Sequence, residues 1–436
     1  MSSQPAYSRP ESEPAPRLDS ISVQRPRRRT RRFVLAFLLL VLVWVVSIGV
    51  LLFCPPVLEA VSAIWLKPQP GAIAWNGTDR ITVVAMGLTQ RTTEPARTDT
   101  LLVMDVDPAN HRINMLSVPR DLWVKFPGQY GQGKLAIPYA LGGPRLTAYT
   151  LEQALGIPVD YTISMKFRGF MKLVNAMGGV DVNVPQELND PLYPCLTGYD
   201  YCPIDIKKGT QHMNGATALE FVRERHAFSQ QDLARVQDQQ AFSEAVKRTL
   251  ISPATWARYP QILSTLKSAL ITNMPMNDLP VLGANVVTTP KSRVDHEYIN
   301  IQNGMVQTGW SADGQSILTP TSPTVIPNLV HRLFSDPKLG QENAAVEVLN
   351  GTPTGGIASD VQTTLQGLGF HTVGNGNADR TDYGRTQVIV NSSGQGPADY
   401  TARRLQRILD ANLVHESLPN RTARIVVIVG RDFPTS

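Results

Sequence analysis

Residues 81–119 read ITVVAMGLTQRTTEPARTDTLLVMDVDPANHRINMLSVP. Three short apolar runs, ITVVAMG (81–87), LLVMDVD (101–107) and INMLSVP (113–119), have the length and β-branched content of strands. Downstream, YTISMKF (161–167) and VDVNVP (180–185) alternate as strands do. PRLTAYTLEQALG (144–156) and FRGFMKLVNAMGG (167–179) carry helical spacing ended by glycine. Strands interleaved with helices predict a layered α/β domain, a central sheet flanked by helices. Residues 232–250 predict a strong helix, and 251–340 read as helical at first and then loop-rich. From about 343 the order is strand, Asn-Gly-Thr, helix, strand, helix, and a final strand RIVVIVG (424–430), which predicts a second, small α/β domain.

Ahead of these units, FVLAFLLLVLVWVVSIGVLLF (33–53) is free of charge and follows directly on RPRRRTRR. About 20 apolar residues suffice for one membrane-crossing helix, and flanking arginines stay on the cytoplasmic side. A cleaved signal peptide has a shorter apolar region with small residues at the cut, whereas this run ends in Leu52-Phe53-Cys54-Pro55-Pro56. The expected order is a basic, disordered cytoplasmic tail (1–32), a transmembrane helix (33–53), a stalk (54–78), an α/β domain (79–250), an accessory helical and loop extension with linker (251–342), and a C-terminal α/β domain (343–436). The expected localisation is a single-pass cell-membrane protein with its folded domains outside.

The formal charge of the 436-residue chain is +5, and the arginine cluster before the apolar run accounts for it. The remainder is near neutral, which argues against a nucleic-acid surface. Of three cysteines, Cys195 and Cys202 share a loop rich in Pro, Gly and Tyr. Outside the cell that pair is expected to form a local disulfide. A metal site would need further soft ligands that no nearby cluster supplies.

Charged residues fall at the ends of the expected elements. Arg97 and Asp99 precede the second strand, and Arg120 and Asp121 close the third. Arg223 and Arg225, read as i and i+2 on a strand after LEFV, share one face. Asp232, Arg235 and Gln239 line one stripe of the 232–250 helix, continued by Phe242, Val246 and Leu250, which suits a pocket with a charged mouth and an apolar interior. Converging guanidinium groups bind phosphate oxygens bidentately, and an aspartate among them is suited to Mg²⁺ bridging phosphates. The bland alternative is a set of surface ion pairs.

These stretches together resemble the LytR-CpsA-Psr family: RTDT (97–100), SVPRD (117–121), KLAIPYALGG (134–143), LGIPVDY (155–161), FRGFMKLVNAMGGVDVNVP (167–185), KKGTQHMNGATALEFVRERH (207–226) and DLARVQDQQ (232–240). Residues 343–436 are similar to the LytR-type domain often attached to such proteins. The resemblance implies a Mg²⁺-dependent phosphotransferase that moves a glycopolymer from a polyprenyl-pyrophosphate carrier onto peptidoglycan. It implies a lipid tail in an apolar tunnel, which Met171, Leu173, Val174 and Met177 would line unless they are core. By motif, Asp99 would hold Mg²⁺, and Arg120, Arg223 and Arg225 would bind the phosphates. Asp232, Gln239, Arg97 and Arg235 would support them, with Arg91 and Lys134 at the edge of the set. Two positions depart from the family pattern: Thr89 stands where an aspartate is usual, and Asp238 where arginine is frequent. As bases for the acceptor hydroxyl, His226 and Asp121 are the minor readings beside a hydrogen-bonded structural histidine and a carboxylate that fixes Arg120; Trp75 is a candidate for a lipid interface, on the evidence of one residue alone. The alternatives to transfer are hydrolysis of polyprenyl pyrophosphate in the same pocket and a non-catalytic polyprenyl-phosphate or wall-binding protein.

Overall fold

The computed structural model describes residues 69–89, 94–195, 200–223 and 231–434, except the side chains of 231–240. Its centre is a six-stranded mixed sheet of β1 (Ile81–Thr89), β2 (Arg97–Asp107), β3 (Arg112–Val118), β4 (Tyr161–Lys166), β5 (Leu270–Thr272) and β6 (Val294–Tyr298). The order is β5-β4-β1-β2-β3-β6. β1 runs antiparallel to β2 and parallel to β4. Because both faces are covered, β1 has no exposed residue, and its first four are all buried. One face packs on α1 (Pro138–Leu155), where Val84, Met86, Val103 and Leu116 meet Leu151 and Leu155. The other face joins Ile81, Val83 and Tyr161 to Met274, Met276 and Leu282.

Next to the sheet, α2 (Phe167–Met177), α3 (Gly215–Arg223), α4 (Gln231–Ile251) and α5 (Tyr259–Ala269) gather around a hairpin of Val180–Val184 and Gly209–Met213. Their shared core contains Val174, Met177, Val182, Phe221 and Phe242. Helix α2 stops at Gly178, whose φ of +93° suits a residue without Cβ. Asn214 starts α3: its Oδ1 accepts from the Ala216 and Thr217 N–H groups at 2.9 and 3.1 Å. Gly215 lets α3 press onto α2, since a Cβ there would collide with the Met171 backbone.

The flanking helix of the first core is α6 (Val325–Phe334). Beyond it lies a five-stranded sheet of β7 (Val346–Asn350), β8 (Thr372–Asn377), β9 (Gln387–Asn391), β10 (Asn412–Glu416) and β11 (Ile425–Val429), ordered β8-β7-β11-β9-β10. It carries α7 (Ile357–Gly367) and α8 (Asp399–Ile408). Its apolar core extends to Tyr149 on α1, which meets Phe433 edge-on at 4.8 Å. Polar contacts hold the junction. Arg403 Nε donates to Asp79 at 2.8 Å, and Arg407 Nε to Asp160 at 2.9 Å. Arg404 pairs with Asp336 and stands 3.7 Å from Asp160. The side chains of Arg404, Arg407 and Asp160 are 1%, 1% and 0% exposed, so these charges are compensated inside the protein. Burial raises the carboxyl of Asp105 despite its Arg80 partner. For Asp336 burial pulls the same way, yet the Arg404 charge and the Tyr400 hydroxyl outweigh it and hold the group below its ordinary range.

The mixed α/β layering agrees with the sequence, and three readings change. LEFV belongs to α3 and not to a strand, because Asn214 caps a run of good helix formers. The segment 251–342 is no mere extension, since β5 and β6 complete both edges of the central sheet. Trp75 is 2% exposed, and its indole N–H donates to the Asp79 carbonyl at 2.8 Å, which puts it in the core and ends any stalk before it. Val174 and Met177 are core side chains. The segment 33–53 lies outside the described residues; among those described, no helix is long and apolar enough to cross a membrane.

Candidate phosphate-binding site

The carboxyl ends of β1 and β3 and the amino end of β2 share one edge of the central sheet. There the register slips. Gly87 pairs with Thr100 and Leu88 with Thr98, so Asp99 is the extra residue of a bulge. Bulges re-aim side chains at sheet rims, and this one leaves Asp99 8% exposed with arginines on both oxygens. Arg120 Nη1 donates to its Oδ1, and Arg223 Nε stands 3.9 Å from its Oδ2. The segment after Lys134 holds both sides of this contact. The Ala136 N–H donates to the Arg120 carbonyl at 2.9 Å, and the Thr98 N–H to the Ala136 carbonyl at 3.3 Å.

Asp121 faces Arg120 Nε at 3.5 Å and Lys134 Nζ at 3.1 Å. A carboxylate shared by two cations orients them, which is the role its geometry supports here. Arg223 sits at the end of α3 with its guanidinium over the Phe167 ring at 4.4 Å and the Tyr193 ring at 5.5 Å. Its Nη1 donates to the Tyr193 hydroxyl at 3.1 Å. Tyr193 is 2% exposed. It is set by the loop that the Cys195–Cys202 disulfide closes, where the Cys202 N–H donates to the Tyr193 carbonyl at 2.8 Å.

Asp99, Arg120, Arg223 and Lys134 are thus brought together. Arg97 is exposed at the start of β2, paired through its backbone to Thr89 at the end of β1. Arg91, Arg225 and His226 lie outside the described residues, as do the side chains of Asp232, Arg235, Asp238 and Gln239 on α4. Sequence reasoning missed Tyr193 and Phe167. The signal for Tyr193 was an aromatic residue two positions before a loop cysteine.

The described donors suit Mg²⁺ only in a limited form. Among the described residues no three His, Cys, Asp or Glu side chains cluster as a cage. Asp99 offers one carboxylate among guanidiniums. Such a set fits an ion that takes its remaining oxygens from a phosphate ligand and water, which Mg²⁺ favours.

Residues 62–320 match the LytR_cpsA_psr family. The chain belongs to this family. Residues 343–433 match the domain described as LytR cell envelope-related transcriptional attenuator. Among family members, the regulatory protein MsrR of Staphylococcus aureus is 28% identical over 240 residues, 55% of this chain and 70% of that protein. The polyisoprenyl-teichoic acid–peptidoglycan teichoic acid transferase TagU of Bacillus mycoides is 28% identical over 199 residues, 46% of this chain and 62% of that protein. The crystal structure of B. subtilis TagV aligns with a TM-score of 0.48 at 25% identity, covering 59% of this chain and 96% of that one.

Proposed function

We propose that this chain is a membrane-anchored, extracytoplasmic phosphotransferase that moves a glycopolymer from a polyprenyl-pyrophosphate carrier onto peptidoglycan. The observation that carries the proposal is the Arg120–Asp99–Arg223 contact at one sheet edge, with Lys134 beside it. The transferase name of the relative TagU supports the substrate class, and the apolar run 33–53 behind its arginine cluster supports the anchor.

In this reading Arg120 and Arg223 turn their donors from Asp99 to the diphosphate. A hydroxyl oxygen of the wall glycan bonds to the phosphorus nearer the polymer. The bond from that phosphorus to the bridging oxygen breaks, polyprenyl monophosphate leaves, and the hydroxyl proton passes to solvent. Once turned to the diphosphate, the guanidiniums stabilise the charge that grows on the phosphoryl oxygens. Phe167 and Tyr193 fix Arg223, and Asp121 fixes Arg120. Mg²⁺, when bound at Asp99, would supply further charge neutralisation on the phosphates; Thr89 would offer it a neutral hydroxyl where the family usually has a carboxylate.

The test uses a synthetic polyprenyl-pyrophosphate saccharide and soluble peptidoglycan oligomers with purified full-length protein. Arg120→Ala and Arg223→Ala are each expected to cut transfer roughly 10²–10³-fold at an unchanged circular dichroism spectrum. Transfer at the unaltered rate in both variants would refute the clamp. Release of lipid monophosphate without glycan attachment would make the chain a hydrolase.

A further inference from the structure

At the end of α2 opposite Phe167, a groove of about 470 Å³ opens between the Val180–Val184/Gly209–Met213 hairpin and the last turns of α4. That volume lies in the ~300–1,000 Å³ range of small-ligand sites. Its lining includes Arg248, Arg258, His212 and Asp181. Asp181 is turned to His212, 2.7 Å away, and gives Arg248 only its backbone carbonyl, at 3.4 Å. The groove therefore presents two guanidiniums to one carboxylate that already faces the imidazole. Asn183, Thr210 and Ser252 add amide and hydroxyl groups.

The wall of the groove depends on two glycines. Gly178 and Gly179 both have positive φ, +93° and +87°. A Cβ on the first would collide with the Arg258 guanidinium and on the second with the His212 ring. Without a Cβ at either position, the Arg258 guanidinium and the His212 ring have room against the groove wall.

We infer that this groove binds a negatively charged saccharide. Arg248 and Arg258, which among the described residues pair with no carboxylate, recognise the acidic group in two-pronged fashion, while the hydroxyls and the amide pair with sugar hydroxyls. Ten helical steps along α2 separate Phe167 from Met177, about 15 Å at 1.5 Å each, which sets the groove apart from the guanidinium site. The inference rests on the glycopolymer reading only for the source of the sugar, either the donor polymer or the wall glycan.

Isothermal titration of the full-length protein in detergent tests it with four probes: N-acetylglucosaminyl-N-acetylmuramic acid, N-acetylglucosamine 1-phosphate, neutral chitobiose and inorganic phosphate. Expected is binding of an acidic sugar, with chitobiose much weaker, and a rise in Kd of tenfold or more in Arg248→Ala/Arg258→Ala. Preference for the carboxylate sugar assigns the groove to the wall glycan, and preference for the sugar phosphate to the donor. Arg223→Ala should leave this binding intact while abolishing transfer, so failure of either reading shows separately. Equal binding of chitobiose, binding of inorganic phosphate as tight as of the sugars, no binding at all, or binding indifferent to the double substitution in a protein of unaltered melting temperature would overturn it.

Discussion

Arg404→Ala is the substitution whose cost follows most directly from the structure. The side chain is 1% exposed, and it pairs with Asp336 and faces Asp160 at 3.7 Å, both themselves at most 4% exposed. Removing it leaves two buried carboxylates with less compensation. Asp160 keeps Arg407 at 2.9 Å, and Asp336 keeps the Lys338 N–H at 3.0 Å. Breaking a buried pair by deleting one partner costs about 3–5 kcal/mol. At ~2 °C per kcal/mol for a large domain, the melting temperature falls roughly 6–10 °C. The dependence on pH separates charge from packing. Asp336 is held below its ordinary range in part by the Arg404 charge; without that charge its burial pushes it upward. The penalty is therefore largest at neutral pH and shrinks as the pH falls through the carboxylate range and Asp336 takes up a proton. Calorimetry of both proteins between pH 7 and pH 4 reads this out. A loss below about 1 kcal/mol at pH 7, or one that does not change with pH, would refute the account of the junction as an ionic one.

Further outcomes follow from the site and its surroundings. Tyr193→Phe keeps the ring against Arg223 but removes the acceptor at 3.1 Å; steady-state transfer should show kcat lowered about tenfold, from ~1.5 kcal/mol, with KM changed less. Thr89→Asp adds a carboxylate at the strand end beside the Asp99 bulge, so transfer should saturate at lower Mg²⁺; an unchanged Mg²⁺ titration removes Thr89 from the metal's surroundings. Burial pushes the imidazole of His296 down to about 4. It stays neutral in the fold while the unfolded chain takes up a proton near pH 6.5, so its contribution is complete above that pH and declines by at most about 1.4 kcal/mol per unit down to pH 4; His296→Gln, followed by denaturant unfolding across this window, should flatten that part of the profile.

The residues legible in advance were those fixed by local pattern. Asp99 and Arg120 stand next to apolar runs whose strand character is unambiguous, and charges at such ends gather at a sheet edge whatever the topology. Arg223 was placed on the wrong element because a block as short as LEFV, three apolar residues and a glutamate, suits strand and helix equally; the Asn214 cap was the overlooked cue. The edge strands β5 and β6 are three and five residues long and only partly buried, too short to impose a pattern. The helix DYTARRLQRI looks like a solvated basic face. What buries Arg404 and Arg407 is a set of aspartates at positions 79, 160 and 336, a pairing that only the folded chain creates. Tyr193 carried only the weak signal of an aromatic near a loop cysteine, since its partner lies 30 residues away.

The junction with the five-stranded sheet uses Asp79, just before β1, and Asp160, just before β4. Asp99 and Arg120 lie where those parallel strands finish. The C-terminal unit thus grips the heel of the central sheet while the reactive rim is at its toe. A large body can seize the outer side of that unit, pull on it or tether it, without shading the rim. Tension applied there would run along the strands toward the guanidinium pair and not across its mouth.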